Sequence, residues 1–149
     1  MNQNQILIKL IRYDSPEYHQ ACQLRYRLFF AEHNLPWEIV FDDRDADSFH
    51  AAVIIQGCVA AYGKLTPHKN LVYRLGQMVV EPNYQRQNLG RQIVLTLIDL
   101  AKHQGAIALT LNSRLSAVGF YQKFGFQTFG NEFPSATTGV IHIAMRQKL

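Results

Sequence analysis

Val79-Val80-Glu81-Pro82-Asn83-Tyr84-Gln85-Arg86-Gln87-Asn88-Leu89-Gly90-Arg91 is the stretch that decides how this chain folds. An apolar strand, Leu71–Val80, stops at a proline, and a polar turn leads directly into an amphipathic helix. The helix is read from Leu89, Ile93, Leu97 and Leu100, with Val94, Ile98 and Ala101 beside them, and from the stop at Gly105. Its first N–H groups lack intrahelical partners, and the helix dipole adds partial positive charge there. Gly90 lets a ligand approach the main chain, Asn88 tolerates left-handed torsions, and Arg86 and Arg91 can bond phosphate oxygens. Together they form a cradle for an anion. It is neither Gly-x-x-x-x-Gly-Lys-Ser/Thr nor Gly-x-Gly-x-x-Gly, so two familiar phosphate-binding signatures are absent.

Upstream of this join, Ile6–Arg12 reads as a first strand, and Asp14-Ser15-Pro16-Glu17 as a helix start with Ser15 as cap. The helix carries Tyr18, Ala21, Cys22, Leu24, Leu28 and Phe29 and ends near Phe30–His33. An acidic linker with Asp42, Asp43, Asp45 and Asp47 follows to about His50, expected to be solvated or to attract a cationic substrate. Ala51–Ile55 and Cys58–Leu65 then form a hairpin around Gln56-Gly57. Downstream, Ala106–Leu111 is a short buried strand, Ser116–Phe124 a short helix, and Phe126–Phe129 and Val140–Met145 are final strands. This order predicts a mixed α/β sheet in one domain over residues 1–149.

A second cluster lies about thirty residues beyond the join: Phe120-Tyr121-Gln122-Lys123-Phe124-Gly125-Phe126. With Gln85-Arg86-Gln87-Asn88-Leu89-Gly90 it resembles the paired motifs of the GNAT superfamily of acyl-CoA-dependent N-acetyltransferases, Arg/Gln-x-x-Gly-x-Gly/Ala and Phe-Tyr-x-Lys-x-Gly-Phe. The strong match runs from about Leu71 to Gly130. Leu24-Arg25-Tyr26-Arg27-Leu28-Phe29-Phe30 is similar to a bacterial branch of small members. One departure is Asn88, which stands where the family usually has its first glycine.

The resemblance implies a mostly antiparallel, twisted sheet flanked by helices, with acetyl-CoA as co-substrate and no metal. It implies that the main chain of Met78, Val79 and Val80 pairs with the pantetheine arm like an added strand. Gln85, Arg86, Gln87, Asn88, Leu89, Gly90 and Arg91 would hold the pyrophosphate, and Asn112 would contact the arm. Tyr121 stands where the family often places its general acid.

Direct acyl transfer needs a neutral amine near the thioester carbonyl, donors for the oxyanion and a proton for the leaving thiolate. A phenol with pKa near 10 suits a thiol near 8.5 as proton donor. The base is less evident. Leu71–Val80 holds no carboxylate, Gln77 stands where some members carry one, and Glu81 lies beside the phosphate turn. Glu32, Glu38, Asp42, Asp43, His50 and His142 are the candidates. At pH 7 a lysine amine is neutral in roughly one molecule in 2,500, against about one in ten for an α-amine, so a weakly basic amine or a water relay fits best.

The 149 residues are 48% hydrophobic and 17% charged, an ordinary globular balance. No apolar run approaches the roughly 20 residues of a membrane span. MNQNQILIKL has no secretory leader, and Cys22 and Cys58 read as free, buried thiols, so a cytoplasmic location is expected. Up to Glu81 the chain holds eight basic and nine acidic residues, and beyond it seven basic and two acidic. That positive second half suits an anionic ligand. Its basic residues are scattered, which favours a phosphate-bearing small molecule over nucleic acid. The expected partners are thus an amine acceptor, no nucleic acid and no membrane, with a homodimer allowed. The rival readings are a catalytically idle coenzyme A sensor and a nucleic-acid binder.

Overall fold

The structure, a computed structural model, describes residues 6–149. The expected absence of a leader therefore falls in part on residues outside those described. The elements are β1 (Ile6–Ile11), α1 (Pro16–Phe29), β2 (Phe49–Ile55), β3 (Cys58–Pro67), β4 (Val72–Val80), α2 (Leu89–His103), β5 (Ala108–Arg114), α3 (Val118–Gln122), β6 (Gln127–Pro134) and β7 (Ile141–Lys148). They build one seven-stranded sheet in the order β1-β2-β3-β4-β5-β7-β6. Only the β4–β5 pair is parallel, because α2 crosses over between them. All other neighbours are antiparallel, as the resemblance implied.

The helices cover both faces of the sheet. Along β2, Ala51, Val53 and Ile55 join the core under α2, while Ala52 and Ile54 join the core under α1. Period-two alternation thus serves two apolar faces, which is why β2 and β3 read as nearly continuous apolar runs. Helix α1 starts as expected, with Ser15 Oγ accepting from Tyr18 N at 3.2 Å. At Gly63 on β3, α2 comes so close that an added Cβ would lie 2.5 Å from Met78 Sδ and 2.6 Å from Ile93 Cγ2.

Several expectations are corrected. Strand β5 begins and ends later than Ala106–Leu111, because Ala106 N bonds back to Ala101 O at 2.9 Å and still belongs to the helix end. Asn112 therefore lies inside β5, opposite Ala144 of β7. The last two strands are longer than expected, pairing across an irregularity between Phe129 and Phe133. Cys22 is buried, but Cys58 is exposed beside the hairpin turn. Finally, the acidic linker is not simply solvated. It forms short 3-10 turns, and Asp45 is fully buried.

Candidate active site

Strands β4 and β5 pair only over Val72–Arg74 and Ala108–Thr110. Beyond that point β4 stays with β3, β5 stays with β7, and no ladder joins the two. Leu75–Val80 consequently offers one free backbone edge about 20 Å long at ordinary strand rise. An extended ligand arm can pair with it as a strand would. The opening is aided by a bulge in which Gln77 takes a left-handed φ of 55°, with register slipping between Tyr62 and Lys64 on β3. Met78, Val79 and Val80 lie on this edge just past the bulge. Val79 is buried with α1, and Met78 and Val80 pack against the core under α2, so their contribution is main-chain.

The edge leads directly to the turn before α2. Glu81 N bonds Ala60 O at 2.8 Å, Pro82–Tyr84 make one 3-10 turn, and Arg86 and Asn88 adopt left-handed φ of 65° and 64°. Asn88 thus occupies the torsion proposed for it from sequence. No side chain caps the N-terminus of α2, so its first amides remain available. A Cβ at Gly90 would meet only ordinary contacts, Phe120 Cζ at 3.5 Å and Val80 Cγ2 at 3.6 Å. Packing therefore does not demand a glycine there, and the missing side chain leaves a ligand room to approach the main chain. Arg86, Gln87 and Arg91 are exposed, and neither arginine has a carboxylate partner among the described residues. Gln85 Nε2 donates to Val80 O at 3.3 Å, and Leu89 sends its side chain into the core, leaving only backbone for a ligand. These residues fit a diphosphate: amides free from Arg86 onward (that of Gln85 bonds Pro82 O at 3.3 Å), unpaired guanidinium groups and room.

Two clefts flank the split. One, of about 200 Å³, is lined by Phe29, Phe30, Met78 and Tyr121; the other, of about 590 Å³, by Arg44, His68 and Arg74. Gln77, Asn112 and His142 line both, marking their junction. Tyr121 is only 9% exposed, and its hydroxyl makes no hydrogen bond within the described residues. Burial pushes its pKa up to about 12, above the ordinary phenol value expected from sequence. It stays protonated at any working pH but is a weaker acid than expected. The side chain of Asn112 likewise has no hydrogen-bond partner among the described residues, while its main chain belongs to the ladder with β7.

Most of the candidate bases are elsewhere. His50 is buried: Nε2–H donates to Asp45 O at 2.7 Å, and Tyr62 OH donates to Nδ1 at 2.6 Å. Burial pushes its pKa down, so it is a neutral structural residue. Glu32, Glu38 and Asp43 are exposed and line neither cleft. Asp42 lines the larger one but is paired with Lys64 at 3.0 Å. Glu81 pairs with Arg27 at 2.7 Å. His142 is different: Nδ1–H donates to Val140 O at 2.8 Å, which leaves the Nε2 lone pair free in the neutral ring.

Sequence reasoning missed the buried ion network behind the bulge. Asp45 accepts from Arg25 Nη1 at 3.0 Å, Lys64 Nζ at 2.7 Å and Tyr18 OH at 2.6 Å. Burial alone would raise the Asp45 carboxyl, but these donors hold it below the usual carboxylate range. Arg25 Nε also donates to Gln77 Oε1 at 3.3 Å, tying the network to the bulge. The available signal was Arg25 on the apolar face of α1, beside Cys22 and Leu24.

Residues 18–126 match the family model described as the acetyltransferase (GNAT) family. Glucosamine 6-phosphate N-acetyltransferase of Schizosaccharomyces pombe is 33% identical over 88 residues, covering 59% of this chain and 78% of that protein. Escherichia coli ElaA superposes with a TM-score of 0.83 at 20% identity, over 96% of this chain and 99% of that one. An aminoglycoside 6'-N-acetyltransferase solved with coenzyme A gives a TM-score of 0.72 at 18% identity, covering 95% and 96% of the two chains.

Proposed function

Because the chain belongs to the GNAT acetyltransferase family, we propose that it moves an acetyl group from acetyl-CoA to an amine by direct attack in a ternary complex. The observation that carries this reading is the parting of β4 from β5 after Arg74 and Thr110, with the free edge running into the amide-rich turn Gln85–Arg91. Acetyl-CoA supplies the activated acyl group. Main-chain groups of Met78, Val79 and Val80 hold its arm, the turn holds its diphosphate, and Asn112 contacts the arm from β5. An N–H near Val79 or Val80 stabilises the developing oxyanion. Tyr121 donates a hydrogen bond to the leaving sulfur. His142, at the junction of the clefts, takes the amine proton on Nε2. Holding both reactants at this junction supplies much of the rate by making the attack effectively unimolecular.

Thiol release from acetyl-CoA, measured with a panel of amines, tests the reading. Amine-dependent release supports it. Tight coenzyme A binding with no release on any amine would favour the idle sensor instead. The acidic linker gives no support to a cationic acceptor, because Asp42 and Asp45 are engaged by Lys64 and Arg25, and Asp43 and Asp47 line neither cleft.

A further inference from the structure

The larger cleft has a sign. Lys64 and Arg25 are balanced by Asp42 and Asp45, so that network is neutral as a whole. Arg44 and Arg74 line the same cleft, and neither has a carboxylate partner among the described residues. Arg44 is held in place by Pro67 O, which accepts from Nη2 at 2.6 Å and neutralises nothing. Asp43 and Asp47, its neighbours in sequence, do not line the cleft. His68 is pushed below its ordinary pKa by burial and then by Arg44 and Arg74, so both guanidinium groups act on one place.

This positive region is not the cradle for the cofactor diphosphate. Arg74 stands where β4 and β5 are still paired, whereas the turn Gln85–Arg91 lies beyond the other end of β4. Between Arg74 and the bulge at Gln77 lies about 10 Å of strand. The reacting amine belongs at the junction marked by Gln77, Asn112 and His142, and the unpaired charge belongs further back in the cleft.

We propose that the acceptor is a small amine carrying an anionic group, a phosphate or a carboxylate, which Arg74 and Arg44 bind while the amine reaches the junction. This rests on the transferase reading and narrows its substrate class. Arginine suits either anion, since its planar fork can bond two oxygens at once. A cationic amine such as a diamine would meet unpaired positive charge instead.

Matched acceptors test it through thiol release. Ethanolamine is compared with its phosphate ester, a hexosamine with its 6-phosphate, β-alanine with its amide, and a diamine stands as the cationic member. The anionic member of at least one pair should be preferred in kcat/KM by about tenfold or more. Whether the phosphate or the carboxylate pairs respond identifies the anion. Arg74→Gln and Arg44→Gln should each erase most of that preference by raising KM. Coenzyme A affinity, measured in the same variants, reports that they fold. Transfer that is indifferent to the anion, that favours the diamine, or that keeps its preference in both variants overturns the proposal while leaving the transferase reading intact. No release on any amine, with coenzyme A bound, overturns both.

Discussion

Tyr121 sits in a nearly closed setting with its hydroxyl free of protein partners, and burial keeps its proton in place. The hydroxyl is not among the fully buried unpartnered polar atoms, so it opens to the small cleft, where a ligand can reach it. Tyr121→Phe is therefore expected to cut turnover about a hundredfold, with coenzyme A affinity and stability little changed; wild-type turnover would reduce the residue to packing. His142→Gln should lower kcat by a similar factor of about 100. Wild-type kcat in this variant would exclude His142 as base. At this scale the sequence was informative where a torsion or a missing side chain mattered. Asn88 is left-handed and Gly90 is open, as their residue types suggested. It was uninformative for His50 and Asp45, because a polar residue in a linker gives no sign of the distant donors that bury it.

Among the elements, β4 determines the site. The strand itself, the proline that ends it and the periodic helix after it were all legible as local patterns. The bulge at Gln77 and the parting from β5 were not. They depend on register with β3 and on where pairing stops, both properties of non-local contacts. Gly63 was silent for the same reason, since its neighbours Met78 and Ile93 come from two other elements. Gly63→Ala should destabilise the fold by about 1–3 kcal/mol through overpacking at α2. Urea denaturation measures this, and an unchanged midpoint would mean that α2 is free to move away.

For the whole molecule, the network around Asp45 joins α1, the acidic linker, β3 and the β4 bulge. Asp45→Asn leaves Arg25 and Lys64 buried without their shared anion, so it should cost about 3–5 kcal/mol. A loss below about 1 kcal/mol would show that the site is wet or collapsible. Stability should also depend on pH in two windows. His50 is lowered in the folded state, so the unfolded chain binds its proton first. Stability should thus begin to fall as pH drops below about 6.5. Asp45 is also lowered, so its contribution is complete above its unfolded value near 3.8 and is lost only as pH falls through the depressed one. Denaturation midpoints between pH 7 and 3 check this. His50→Gln should shrink the first window, to which His68 also contributes, and a midpoint constant from pH 7 to 5 would contradict the neutral, buried assignment.

The central claim is that the free edge of β4 and the amides before α2 bind acetyl-CoA, and equilibrium dialysis with labelled acetyl-CoA tests it most directly. Folded protein should retain one equivalent per chain, and Gly90→Glu, which places bulk and negative charge at the cradle, should retain none. Folded wild-type protein that retains no label, or a Gly90→Glu variant that retains as much as wild type, would contradict it.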